Sequence, residues 1–234
     1  LATDDGGVAR IVGIAKGVGM IEPNMATMLA FITTDADVGR DDLDAAFRRV
    51  VDRTFNCLSV DTDTSTSDTA AIMASGRAGT VDVRAFEDAL HEVCLALTRQ
   101  LAADGEGAET LIVVTVDDAG TDIRAKRVAK AIVNSPLVKT AVHGADPNWG
   151  RIAMAIGKLD DETEIQPDAV TIRIGDQELY PTLVDDETLA ELSDYLAGDE
   201  VTIHVSLGLG TGASTVYGCD LTDGYVRINA DYTT

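Results

Sequence analysis

Cysteine is scarce and scattered in this chain of 234 residues: Cys57, Cys94 and Cys219 lie far apart and form no C-x-x-C pair. That excludes a disulfide framework or a sulfur-ligated metal as the organising feature, and it suits a reducing compartment. Basic residues are also few. Eighteen Lys and Arg stand against 40 Asp and Glu, giving a formal net charge of -22, and a field of that sign repels phosphate backbones, so nucleic acid is not expected as a partner. The acidic residues are interspersed with apolar ones instead of forming a tail, which reads as a solvated face. No apolar run reaches the roughly 18 residues that a membrane span needs, and no signal-peptide pattern opens the chain. The expectation is a soluble, cytoplasmic protein with no membrane partner. His91, His143 and His204 show neither H-x-x-x-H spacing nor a nearby cysteine, so no metal site and no cofactor are expected.

What is present is an ordinary globular composition, 45% hydrophobic, enough for one domain or two intimately packed ones. The chain begins at Leu1 without an initiator Met and is read as a processed or excised piece of something longer. Residues 1–26 are Gly-rich, with Gly7, Gly13, Gly17 and Gly19 suiting close backbone approach. Met28–Ile32 reads as a buried strand. Residues 41–56 have helical spacing with Asp41 as cap, and a second helix is expected from Val83 to Leu101 with Asp82 as cap. TLIVVTV, ending at Val116, is a central strand. A helix over 122–134, a strand over Val138–Val142 and a helix over 148–158 follow, the last with Asp146-Pro147 as its cap and first-turn proline. From about residue 165 strands predominate: 170–175, 201–207, 214–219 and Tyr225–Ala230, interrupted by a helix over 185–196. The alternation early and the strand-rich end point to an α+β fold of layered helices and sheet.

Three suggestive motifs fail on spacing. In GIAKGVGM, Lys16 precedes its glycine, the reverse of a phosphate loop. Gly208, Gly210 and Gly212 follow a strand but lack the full dinucleotide pattern, since Ala213 stands at its last position, and a tight turn between strands is the better reading. Residues 61–68 alternate oxygen ligands like a calcium loop, yet Thr66 and Ile72 replace the required glycine and glutamate. His204, in an alternating strand, reads as structural. His143 and Trp149, the sole tryptophan, flank the segment GADPN, where the tryptophan can organise a pocket or anchor the core.

One set of motifs runs the length of the chain: AKG followed by MIEPNMATML (residues 15–17 and 20–29), SVDTDTSTSDTA (59–70), GEGAETLI (105–112), GADPNWGRI (144–152) and INADYTT (228–234). Together these resemble the ornithine acetyltransferases, also called glutamate N-acetyltransferases. The resemblance implies a self-processing N-terminal-nucleophile enzyme cut between Ala26 and Thr27. Residues 1–26 would then end an α chain and 27–234 form a β chain, the rest of the α chain being a partner in an α2β2 heterotetramer. It implies Thr27 as the nucleophile, and Lys16, Thr27, Glu106, Asn229 and Thr234 as substrate-binding residues. N-acetylornithine and glutamate are the implied substrates. Family members more often carry DGDTSTND where this chain has residues 61–68, so Thr62 replaces a glycine and Ser67 an asparagine.

The chemistry suits a terminal threonine. Its hydroxyl is a poor nucleophile without a base, and the α-amine released by cleavage, which ordinarily titrates at about 7.7 to 8.0, supplies one. In the implied ping-pong reaction an O-acetyl-threonine forms and ornithine leaves, after which glutamate takes the acetyl group. The same terminal threonine also suits an amide hydrolase or aminopeptidase, and a non-catalytic assembly subunit is the third alternative.

Overall fold

The computed structural model describes residues 1–17, 28–63, 68–159, 161–162 and 164–231. The fold is α+β, and the chain divides into two compact units, Leu1–Leu101 and Ala102–Thr234.

The first unit is built on a three-stranded sheet of β1 (Ile11–Lys16), β2 (Leu29–Asp37) and β3 (Thr69–Thr80), in that order. β1 and β2 are antiparallel. β2 and β3 are parallel, which demands a crossover, and α1 (Arg40–Arg53) supplies it. α2 (Val83–Ala103) follows, and Asp82 caps it as expected, its side chain accepting from Ala85 N–H at 2.9 Å. α1 is different. Its N-cap is Gly39, without a side-chain cap, and Asp41 sits inside the first turn, where its charge still favours the helix N-terminus. Gly13 lies where α2 meets the sheet: a Cβ there would lie 2.8 Å from both Ile32 Cδ1 and Leu97 Cδ1, so a larger residue would make those side chains shift. Ala30, Ile32 and Ala36 of β2 are buried, whereas Val12, Ile14, Phe31 and Met73 are exposed. β1 and β3 have no counterpart among the sequence expectations.

The second unit holds a five-stranded sheet in the order β6-β5-β7-β4-β8. Its strands are β4 (Leu111–Asp117), β5 (Thr171–Ile174), β6 (Gln177–Tyr180), β7 (Glu200–Ser206) and β8 (Ser214–Cys219). β4 is central and buried almost throughout, pairing parallel with β7 and antiparallel with β8. Each fully buried side chain such as Ile112 or Val114 contributes about 1.5 to 3 kcal/mol. The helices are α3 (Asp122–Val133), α4 (Pro136–His143), α5 (Trp149–Gly157), α6 (Asp186–Leu196) and α7 (Asp223–Asp231). Gly208, Gly210 and Gly212 all take positive φ in the turn between β7 and β8, as the turn reading required.

Two expected strands are helices. Val138–Val142 lies in α4, which Pro136 opens at a first-turn position, and its buried apolar residues Val138, Ala141 and Val142 fall at i, i+3 and i+4. Tyr225–Ala230 lies in α7. Thr222 Oγ1 accepts from the N–H groups of Gly224 and Tyr225 at that helix's start, and Arg227 pairs with Asp223 one turn away. The cap of α5 is Asn148, whose side chain accepts from Arg151 N–H at 3.2 Å, in place of Asp146.

Candidate functional site

Lys16 ends β1, is exposed, and has Leu29 as its antiparallel partner. Directly opposed residues project from the same face, so Lys16 stands beside the strand into which Thr27 leads. Thr27, Ala26 and Thr234 lie outside the described residues, as does most of the 61–68 loop's second half.

Met28, bonded to Thr27, is buried at 3% exposure and is held on both sides of its backbone by the head of β3. Its N–H donates to Asp68 Oδ1 at 2.5 Å, and its carbonyl accepts from Thr69 N–H at 2.9 Å. The other Asp68 oxygen is buried and has no hydrogen-bond partner among the described residues. Burial pushes the Asp68 carboxyl above its ordinary range, and the Met28 N–H opposes that shift. Nearby, Thr62 takes φ = 73°, a left-handed conformation, at the position where the resembling family shows glycine.

In the second unit, Asn229 Nδ2 donates to Glu106 Oε2 at 3.0 Å and to the Tyr225 carbonyl at 3.0 Å. Two substrate-binding candidates 123 positions apart thus meet. The start of α7 holds the loop that carries Glu106. Thr222 Oγ1 donates to the Gly107 carbonyl at 2.6 Å, and a Cβ on Gly107, at φ +70°, would fall 2.3 Å from Tyr225 N. Only glycine permits that approach.

Glu109, His143 and Asp220 also gather, each offering a ligand atom within 4.8 Å of the others. Asp220 is already committed: Oδ1 accepts from the N–H groups of Glu109 and Thr110 at 2.9 and 3.0 Å, and Oδ2 lies 3.2 Å from His143 Nδ1. The group is a buried carboxylate tying α4, β8 and the approach to β4 together, satisfied by its own chain. His204 is bonded to Asp117 at 2.7 Å between neighbouring strands, in keeping with a structural role. Trp149 stacks against Tyr180 with ring centroids 4.9 Å apart, and with Asp146, Pro147 and Asn148 it lines a hollow of about 570 Å³.

A family model described as the ArgJ family matches residues 2–234. The chain belongs to the ArgJ family. Glutamate N-acetyltransferase Oat2 of Streptomyces clavuligerus is 58% identical over 233 residues, covering 97% of this chain and 59% of that protein. Arginine biosynthesis bifunctional protein ArgJ 2 of a Nostoc species is 59% identical over 228 residues, with the same coverage. The crystal structure of arginine biosynthesis bifunctional protein ArgJ from Bacillus halodurans is similar with a TM-score of 0.82 at 43% identity, over 88% of this chain and 100% of that one. The chain spans about three fifths of the length of the curated ArgJ relatives it matches, 59% for both of these.

Sequence reasoning passed over Asp68 and Asp220. Asp68 was inside a motif already singled out, but its role depends on the parallel pairing of β2 with β3, which no local pattern announces. Asp220 follows directly on β8, and its partners at 109 and 110 lie more than 100 positions away.

Proposed function

We propose that this chain carries the nucleophile of an ornithine acetyltransferase, a glutamate N-acetyltransferase, which moves acetyl from N-acetylornithine to glutamate through Thr27. The observation that carries this reading is the meeting of Glu106 and Asn229 within hydrogen-bond distance, in a chain 58% identical to a protein named glutamate N-acetyltransferase. A carboxylate beside a neutral amide donor suits an ammonium, because the carboxylate supplies the charge and the amide fixes its orientation.

In the proposed sequence the bond between Ala26 and Thr27 is cut first, leaving residues 1–26 as the end of an α chain and 27–234 as a β chain. The freed α-amine takes the Thr27 hydroxyl proton while Oγ1 attacks the acetamide carbonyl carbon, whose π electrons move to oxygen. The tetrahedral intermediate collapses, the ornithine nitrogen leaves with that proton, and O-acetyl-Thr27 remains. Glutamate then attacks the ester and carries the acetyl group away. Lys16 is assigned the substrate α-carboxylate, Glu106 the side-chain ammonium, and Asn229 and Thr234 neutral hydrogen bonds. The reaction sits in a cytoplasmic α2β2 assembly with the rest of the α chain. The exposed apolar residues Val12, Ile14, Phe31 and Met73 on the first sheet support a partner surface there.

The test is Thr27→Ala in the full-length precursor, assayed for cleavage by intact mass and for transfer with and without glutamate. Neither cleavage nor transfer is expected, and Thr27→Ser retains part of both. Normal cleavage in the alanine variant contradicts self-processing. Release of free acetate at the same rate without an acceptor, in the unsubstituted enzyme, would favour the amide hydrolase instead.

A further inference from the structure

The loop that carries Glu106 is held at its backbone by two side chains from one short stretch, Asp220 to Thr222. Asp220 Oδ1 accepts from Glu109 N–H at 2.9 Å and from Thr110 N–H at 3.0 Å, which fixes the loop where it approaches β4. Thr222 holds it two positions nearer Glu106, where its Oγ1 donates to the Gly107 carbonyl at 2.6 Å. The same oxygen accepts from Gly224 N–H at 3.0 Å and from Tyr225 N–H at 3.4 Å, at the start of α7. A hydroxyl has one proton to give and two lone pairs to receive with, so these three bonds use its whole capacity. Two of them make an ordinary helix cap. The third, to a residue 115 positions away, caps nothing.

What the hydroxyl joins is the pair of elements that bear Glu106 and Asn229. Glu106 is covalently next to Gly107, whose carbonyl Thr222 holds. Asn229 lies one turn beyond Tyr225 on α7, and its Nδ2 donates both to the Tyr225 carbonyl and to Glu106 Oε2, at 3.0 Å each. The Glu106–Asn229 bond is exposed and competes with water, so it is too weak to set the spacing of its own two elements. Thr222 is 4% exposed, and losing its hydroxyl strands a carbonyl and a helix-terminal N–H that water does not readily reach. That cost falls on the join between loop and helix.

We propose that Thr222 is a positioning residue for substrate recognition: its hydroxyl locks the Glu106 loop to the start of α7, and so holds the Glu106 carboxylate and the Asn229 amide in one geometry for a substrate ammonium. This rests on the reading of Glu106 as the partner of the ornithine side-chain ammonium. Thr222 acts through the Gly107 backbone and α7 and exchanges no proton in the reaction. The ammonium is remote from the acetyl carbon, so the effect belongs to binding and shows in KM more than in kcat.

Thr222→Val, close in shape and without the hydroxyl, is made in the full-length precursor beside Thr222→Ser, and rates are normalised to cleaved chains. Both are assayed with N-acetylornithine and with N-acetylnorvaline, the same amide lacking the terminal amine. With valine, the kcat/KM preference for N-acetylornithine over N-acetylnorvaline should fall about 10-fold, mainly through the KM for N-acetylornithine. With serine, which keeps the hydroxyl, it should stay within about 3-fold of the parent value. Loss of folded enzyme lowers both substrates alike and leaves the preference where it was, so an unchanged preference with valine overturns the proposal. An equal fall with serine also overturns it, because the effect would then belong to the methyl group. If Thr222→Val gives no folded protein, Thr222→Cys, whose thiol is a weak donor and acceptor, decides by the same criteria. Glu106→Gln separates the two levels. A preference that falls with Glu106→Gln and not with Thr222→Val removes the positioning role alone, whereas a preference unmoved by Glu106→Gln removes the ammonium site on which that role rests.

Discussion

Thr62 holds φ = 73°, a conformation that costs a β-branched residue roughly 1 to 2 kcal/mol and costs glycine nothing. It stands six positions before Asp68 in the sequence, where the family that the chain resembles more often has glycine. Thr62→Gly removes the steric cost and adds back some unfolded-state entropy, so denaturant unfolding should show stability raised by about 1 kcal/mol. A variant less stable than the parent would mean that the threonine side chain makes a contact worth more than its strain. Asp68 shows the opposite relation at the same scale. Burial without a full set of partners disfavours its charged form, so its stability contribution is present at low pH and is lost as pH rises through its elevated pKa.

Among elements, the loop over 105–108 and α7 form one working piece. Gly107 has no room for a Cβ against Tyr225 N and Gly224, and it already holds positive φ. Gly107→Ala should therefore cost about 2 kcal/mol or more and displace Glu106 from Asn229. The kcat/KM for N-acetylornithine should fall further than that for an N-acetylated amino acid lacking a side-chain ammonium. Equal losses for both substrates would contradict the role of Glu106. The elements legible in the sequence were those whose signal is local. Asp82 caps α2 with its own side chain, as expected, and β4 is a continuous apolar run. Val138–Val142 and Tyr225–Ala230 misled because β-branched and alternating residues favour strands, whereas Pro136 and the Thr222 hydroxyl set the helices going. β3 escaped notice because its small residues and interior glycines carry no alternation, and it owes its existence to pairing with β2 across α1.

For the molecule as a whole, a net charge of -22 argues against partners that carry the same charge. Composition and periodicity left the chemistry open. That came from motifs spread over most of the chain; in the fold Glu106 and Asn229 are brought together, and Lys16 is set in register with the strand after Thr27. No rule of spacing would have paired positions 106 and 229. The most direct test of Thr27 as an acetyl carrier is mass analysis of the mature, full-length enzyme, quenched with acid during turnover of N-acetylornithine in the absence of glutamate and then digested. One acetyl group should appear on the peptide that begins at Thr27, and it should vanish when glutamate is added before the quench. An unmodified Thr27 peptide under conditions where ornithine is released, or acetyl found on another residue that turns over as fast, would contradict catalysis by Thr27.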